Sequence, residues 1–466
     1  MNFVIVVSDT LRRDHLGCYG NEWISTPHID EFASENLAFD KAYSASFPTV
    51  PHRRDLMTGR FTSSYTPWAP LAKDEVVLAQ VLGDAGYTTM MITDCPHLIK
   101  DGFNYDRGFD GWEWIRGQEG DRLRTQPELP QIKCDPTKMR MAERLRRCHK
   151  RNVAERRFES DYFAARTMTT ACKWLEQNYK HEKFFLYVDT FDPHEPWDAP
   201  QWYVDMYDPG YTGEVIDYPR YWFSDYLSPE ELKHTRAMYA AEVTMVDRWV
   251  GRLFQKIKDL GLMDDTMVLF TTDHGFLHGE HGIIGKALIN PQTLTNIPLY
   301  EEINHIPLII HLPGRKSGRT NAVTQPIDFM PTVLDLAQVK IPETVHGKSF
   351  ASVLSGTADK FRRFAVSAPY LKAARAPVTV VQDNWSAILY PADEEQPAAP
   401  DKAVDGYEKT QIPTEQAVDM LFDMSDSPTQ EKSVAEDHPD VIAELRQKMI
   451  GFFEEVGTDE DIIKRW

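Results

Sequence analysis

Short apolar runs alternate along the chain with longer stretches of helical spacing, and three of the apolar runs end alike. Phe3-Val4-Ile5-Val6-Val7 stops at Ser8-Asp9-Thr10. Phe184-Phe185-Leu186-Tyr187-Val188 stops at Asp189, followed by Thr190-Phe191-Asp192-Pro193-His194-Glu195-Pro196. Thr266–Thr272 stops at Asp273-His274-Gly275. Runs this short and this continuous predict strands buried on both faces. Tyr87–Thr93, rich in Thr and Met, and Ile306–His311 add two more strands. Between them lie helical patterns: Ile29, Phe32, Ala33 and Leu37 within 27–38, Asp74–Ala85 closed by Gly86, Phe158–Tyr179, Ser228–Leu260 and Ile327–Leu336. Strands separated by helices imply an α/β fold, a large mostly parallel sheet sandwiched by helices. In such sheets ligands bind beyond the carboxyl ends of the strands, where the three Asp-bearing segments begin.

Three regions break this rhythm. Residues 115–160 hold a dense basic segment, 140–157, which reads as a helical insertion: either a solvated surface helix or a contact with an acidic neighbour in a homo-oligomer. Residues 197–226 are aromatic and interrupted by Gly and Pro, which suits a lid, a pocket wall or a packed irregular loop. Past His346-Gly347 come poorly alternating strand candidates at 377–381 and 385–390, a Pro/Asp/Glu-rich stretch at 391–416 and an amphipathic helix, Pro439–Val456. The expected organisation is a catalytic domain over 1–345, carrying the insertion, and a smaller C-terminal α+β domain over 346–466.

Composition narrows the function. A net charge of -20 in 466 residues argues against nucleic acid as a partner, because a phosphate backbone asks for a basic face. It leaves room for a small anionic substrate in a local cationic pocket. No apolar run reaches membrane-spanning length, and the first strand is too short and wrongly flanked for a signal segment. Five cysteines without paired spacing read as reduced thiols, so the expected compartment is the cytoplasm.

The candidate chemistry centres on Thr49-Val50-Pro51-His52-Arg53 and the following Thr58-Gly59-Arg60. Pro51 stiffens the turn that carries Thr49, and Arg53 can neutralise an oxyanion beside it. The competing structural role is for Thr49 to cap a helix over Pro51–Leu56. Asp9, Asp273 and His274 supply two carboxylates and an imidazole from strand ends. With the Thr49 oxygen they form a mixed oxygen/nitrogen site for a divalent metal ion, better suited to Zn or Mn than to Ca or Mg. Such an ion would ease removal of the Thr49 proton. Arg53, His194 and Lys286 would then surround the transferring group, offsetting charge and supplying a proton to the leaving oxygen.

Taken together, these motifs resemble a sulfatase-type member of the alkaline phosphatase superfamily. Asp9-Thr10-Leu-Arg-Arg-Asp-His-Leu-Gly-Cys-Tyr-Gly20 is similar to the first metal motif, Thr49-x-Pro-x-Arg53 with Thr58-Gly59-Arg60 to the nucleophile motif, and Asp192-Pro-His194-x-Pro196 to the segment of the substrate-side histidine. Thr272-Asp273-His274-Gly275, Gly279-Glu-His-Gly282 and Gly285-Lys286 resemble the second metal motif and its lysine, and Leu421-Phe-Asp-Met a C-terminal element. The resemblance implies Thr49, Arg53, His194 and Lys286 as catalytic residues, and Thr10, His97, Asp192 and His281 on the substrate side. Two departures stand out. Sulfatases carry Cys or Ser at the nucleophile, oxidised to formylglycine, and Thr cannot yield that aldehyde. Thr93-Asp94-Cys95-Pro96-His97 stands where many sulfatases have a Gly-Lys-Trp-His segment, so a lysine is missing and His97 is its candidate substitute. The expected activity is cleavage of a phosphodiester or phosphonate monoester through a covalent threonine intermediate. The alternatives are a sulfate-ester hydrolase using unmodified Thr, and a metal-binding scaffold without activity.

Overall fold

The computed structural model describes residues 1–290, 294–373, 376–392 and 418–466. The acidic, Pro-rich stretch expected at 391–416 lies almost wholly outside the described residues. Eight strands form the main sheet: β1 (Asn2–Ser8), β2 (Leu37–Phe39), β3 (Thr88–Thr93), β4 (Gly111–Trp114), β5 (Phe184–Thr190), β6 (Thr266–Thr271), β7 (Leu308–His311) and β8 (Gly318–Thr320). Their spatial order is β8-β2-β7-β6-β1-β5-β3-β4. Only β7 runs against its neighbours, β2 and β6. The central strands β6, β1, β5 and β3 are parallel, with Val7 opposite both Thr271 and Asp189, and Thr93 also opposite Asp189. That register brings the ends of these strands to one edge of the sheet.

Alternation along β1 explains the continuous apolar run. Val4 and Val6 face a core built with helices α1 (Pro27–Glu35), α4 (Phe163–Asn178) and α5 (Pro229–Asp259). Phe3, Ile5 and Val7 face the opposite core, with α2 (Thr49–Thr58), α3 (Leu78–Asp84) and α6 (Phe329–Leu336). Each fully buried apolar side chain contributes about 1.5–3 kcal/mol, so a strand covered on both faces gains at every position. The 228–260 pattern forms one unbroken helix of 31 residues, opened by a capping box in which Ser228 accepts from Glu231 N–H. The 27–38 pattern ends earlier than its spacing suggests. Asn36 is extended and Leu37 enters β2, because the sheet buries it better than another helical turn would.

The C-terminal part is an antiparallel sheet of Ala365–Ser367, Val378–Gln382, Trp385–Leu389 and Met420–Asp423, covered by α7 (Pro439–Glu455). It docks beneath α2: Phe61, fully buried, sets its ring 5.1 Å from Phe452 and 6.5 Å from Phe453.

The basic insertion is not a free cationic face. Its helical part spans 142–153 in short pieces rather than 140–157. Arg124 pairs with Glu155, Arg147 with Glu143 and Arg156 with Asp198, at 2.6–2.7 Å, and Lys150 with Asp217. These pairs set part of its charge against the chain's own acids. The 197–226 loop is packed: Trp197, Tyr218 and Tyr221 are buried, while Trp202 is exposed. No helix among the described residues is long and apolar enough to cross a membrane.

Phe61→Ala should cost about 3–5 kcal/mol in denaturant unfolding, the range for deleting a buried aromatic ring. An unchanged midpoint would mean that the C-terminal unit does not depend on this contact.

Candidate active site

Helix α2 is the unusual element. All ten of its residues are buried although His52, Arg53, Arg54 and Asp55 sit in its middle. Burying charge is costly unless each group is paired, and here the partners are supplied. Asp55 accepts from the N–H groups of Ser46 (2.7 Å) and Thr62 (2.8 Å). Arg54 donates to the carbonyls of Ala69 and Pro70. Arg53 makes a two-pronged pair with Asp189, Nε to Oδ2 at 3.0 Å and Nη2 to Oδ1 at 2.9 Å. Its Nη1 reaches Asp9 Oδ2 at 3.0 Å and donates to Asp273. Gly59 ends the helix at φ 66°, and a Cβ there would lie 2.8 Å from Val345.

Thr49 opens α2 as a helical residue, and its hydroxyl makes no capping bond. The capping role is therefore corrected: the first turn is reached through Pro48, whose carbonyl accepts from His52 N–H. Thr49 Oγ1 lies instead 3.4 Å from His274 Nε2. His274 Nδ1 donates to the Gly275 carbonyl at 3.0 Å, leaving Nε2 as a lone pair aimed into the site. Gly275 is required by close approach: a Cβ there would fall 1.9 Å from the Glu302 carbonyl oxygen.

Asp9, Asp273 and His274 are fully buried and present ligand atoms within 4.8 Å of one another. Burial, and then Asp273, push the Asp9 carboxyl well above its ordinary range. For Asp273 burial acts the same way, but Arg53 and His274 outweigh it and hold the group well below. Asp9 Oδ2 is buried with the Arg53 guanidinium 3.0 Å away as an ion pair but accepts no well-directed hydrogen bond. Two facing carboxylates, one of them incompletely satisfied, and an imidazole with a free Nε2 fit a divalent cation.

Thr10 adopts φ 60°, a strained conformation for a β-branched residue. It is pinned there: its N–H donates to Asp273 (2.9 Å), its hydroxyl to Asp9 (2.7 Å), and Tyr239 donates to its carbonyl (2.8 Å). Lys286 Nζ reaches Thr10 Oγ1 at 3.3 Å and His274 Nε2 at 3.4 Å. His194 stacks on Phe191 with ring centres 4.1 Å apart, and its Nδ1 donates to the Glu195 carbonyl at 2.7 Å. Burial and then Lys286 lower its pKa well below the ordinary value, so the imidazole of the free protein is neutral.

The remaining candidates are more scattered. His97 is edge-on to Phe191 and pairs with Glu119 at 3.1 Å, beside the His194 ring rather than on the carboxylates. The Asp192 carboxylate is taken by Gln118 (2.5 Å) and by the Ala164 N–H (3.0 Å) at the start of α4, so it holds the loop. His281 stacks on Tyr300 and faces Glu302, and its contacts lie there rather than in the carboxylate cluster. Glu195 and the Glu119–Arg140 pair escaped the sequence reading, and Asp189 was placed there at a strand end without a role. The one available signal was Asp189 itself, a carboxylate inside an otherwise buried strand.

The family model for sulfatases matches residues 1–339. The chain belongs to the sulfatase family. A second model, for the C-terminal part of N-sulphoglucosamine sulphohydrolase, matches residues 294–424 of this sulfatase-family chain. An arylsulfatase of Clostridium perfringens is 26% identical over 402 residues, covering 76% of this chain and 78% of that protein. The fold is shared with the structure of BT4656 in complex with its substrate D-glucosamine-2-N,6-O-disulfate (TM-score 0.72, 19% identity, 98% of this chain and 99% of that one). It is also shared with the phosphonate monoester hydrolase of Agrobacterium radiobacter (TM-score 0.71, 17% identity, 98% and 96%). The chain is thus a hydrolase acting on ester bonds, in a superfamily whose members use divalent metal.

Elemental analysis of the purified protein should find a tightly held divalent ion, and Asp273→Asn should lose it while staying folded. Equal metal content in both proteins would remove Asp273 from the ligand set.

Proposed function

We propose that this sulfatase-family hydrolase cleaves a phosphodiester or phosphonate monoester through a covalent phospho-threonine at Thr49, in the cytoplasm. The observation that carries the reading is the placement of an unmodified, β-branched hydroxyl at the head of α2, 3.4 Å from His274 Nε2. Oxidation of a secondary alcohol gives a ketone, so the aldehyde route to sulfate release is closed to Thr49. Asp9, Asp273 and His274, with Thr49, would hold the ion, Zn or Mn by donor type, and its charge would let the hydroxyl lose its proton near neutral pH.

The chain's own groups supply the rest. Arg53, fixed by Asp189, places its guanidinium on the Thr49 side of the cluster, and Lys286 adds an ammonium opposite Thr10. An ester anion beside His194 Nε2 favours the imidazolium, so the neutral ring gains a proton as substrate binds. The Thr49 hydroxyl gives up its proton to solvent, its oxygen forms the bond to phosphorus, the bond to the leaving oxygen breaks, and that oxygen takes the His194 proton. In the second half water attacks phosphorus, Thr49 is released and the water proton returns to His194.

The family match favours one other reading, a sulfate-ester hydrolase working through sulfo-threonine. A panel of aryl esters separates the two. We expect kcat/KM for the phosphodiester to exceed that for the matching sulfate and for the phosphate monoester. Turnover of the sulfate as the best substrate would transfer the assignment to the second reading. Thr49→Ala should lower kcat by about 10²-fold or more, whereas Thr49→Ser should keep much of the rate. Near-normal turnover by the Ala variant would show that water, not Thr49, attacks.

A further inference from the structure

The insertion reaches the active site through Arg140 as well as through Gln118 and Glu119. The Arg140 guanidinium lies against the rings of Tyr218 and Tyr221, 4.5 and 4.3 Å from their centres. Its Nη2 donates to Glu119 Oε1 at 3.1 Å and to Glu195 Oε1 at 2.9 Å. Each of these residues adjoins one of the two histidines on the substrate side, Glu119 through its carboxylate and Glu195 through its backbone carbonyl. Glu195, fully buried, takes the His194 Nδ1 proton on its carbonyl at 2.7 Å and has Oε2 3.3 Å from the same nitrogen. Glu119 Oε2 is 3.1 Å from His97 Nε2. Tyr218 donates to Glu119 at 2.6 Å, and Tyr221 donates to Glu195.

Glu119 is itself held in place. Its backbone sits at φ 39°, in the left-handed region, and its N–H donates to His149 Nδ1 at 3.1 Å. His149 faces Asp198 at 2.8 Å, which Arg156 also engages at 2.7 Å. A strained residue over-determined by its neighbours marks a built position. A guanidinium spanning two carboxylates imposes an orientation that a lysine cannot.

We propose that Glu119 and Arg140, both supplied by the insertion, are positioning residues that fix the imidazoles of His97 and His194 for proton transfer to the leaving group. With Nδ1 committed to Glu195, the Nε2 of His194 is the nitrogen left for the proton that moves. The insertion is therefore part of the catalytic unit rather than a surface decoration. The inference rests on the reading of His194 as the acid for the leaving oxygen.

The test uses the full-length protein and two aryl esters of whichever class the wild type hydrolyses best, one with a 4-nitrophenol and one with a phenol leaving group. A good leaving group needs no proton and a poor one does. His194→Ala should lose activity selectively on the phenyl ester; equal loss on both esters would refute the acid role of His194, not the positioning role. Arg140→Met and Glu119→Gln should lose about tenfold on the phenyl ester and less than about threefold on the nitrophenyl ester, with Arg140→Lys recovering part of the loss. Equal loss on both esters, or none, when His194→Ala is selective would overturn the proposal. If Arg140→Met does not fold, Glu119→Gln, which removes charge at constant size, decides. Nitrogen NMR reads positioning without activity: the His194 signal, assigned by its absence in His194→Ala, should show a fixed Nδ1–H tautomer in wild type and a tautomer mixture in Arg140→Met or Glu119→Gln. An unchanged tautomer in the folded variant would equally overturn the proposal.

Discussion

One buried guanidinium ties the molecule together. Arg53, wholly inaccessible, faces Asp9 at the end of β1, Asp189 near the end of β5 and Asp273 just beyond β6. These are three adjacent parallel strands, and the helix that brings Arg53 to them also carries Thr49 one turn earlier on the same face. Removing one member of such a group would leave uncompensated charge in the interior, an effect of about 3–5 kcal/mol. The same contact therefore sets strand-end register, seats α2 and fixes the distance from Thr49 to the Asp9, Asp273 and His274 cluster. Stability and site geometry cannot be varied separately here.

Around this centre, polar groups are held by neighbours that have no chemical role of their own. Tyr239, from the long helix α5, accepts from Arg12 N–H and donates to the Thr10 carbonyl, so one hydroxyl locks both sides of the strained residue. Tyr187 donates to Asp189 at 2.6 Å and fixes the carboxylate that orients Arg53. These partners come from strand and helix interiors, not from loops, which keeps the site rigid in the way that catalysis by fixed dipoles requires.

The sequence revealed the site better than its supports. Asp9, Asp273 and His274 were legible because each follows a short apolar run, and parallel packing of such runs leaves their ends together. Lys286 and His194 were legible through their motifs. Glu195, Glu119 and Arg140 were not, since a carboxylate or guanidinium in a polar stretch has the same local pattern whether it faces solvent or a buried histidine. The basic segment 140–157 shows this most clearly: its run of charge left a solvated helix and an oligomer contact both open, and gave no sign that Arg140, Lys150 and Arg156 meet Glu119, Glu195, Asp217 and Asp198 of the same chain. Pairing across long sequence separations leaves no periodic trace. The short strands β2, β4 and β8 were missed for a related reason, because three or four residues are too few to display alternation.

Charge balance at the site connects these supports to the choice of ester. Asp9, Asp189 and Asp273 set three carboxylates against the Arg53 guanidinium and the Lys286 ammonium, while burial keeps His194 and His274 neutral. With every carboxylate ionised the cluster carries one excess negative charge; burial, and then the neighbouring Asp273, hold the Asp9 carboxyl well above its ordinary range in the protein alone. A dication reverses the excess to a single positive charge. A diester or phosphonate monoester monoanion neutralises that charge, whereas a phosphate monoester dianion leaves a negative charge in a region with little water to disperse it. A sulfate monoester is also a monoanion, so charge alone does not separate it from the diester. In the proposed mechanism the separation would come from Thr49: its ester with phosphorus would yield to water, while its ester with sulfur would lack the aldehyde-hydrate exit open to a formylglycine. On the proposed reading, electrostatics would select the monoanion and a Thr49 nucleophile would select phosphorus, both through the groups that Arg53 holds in place.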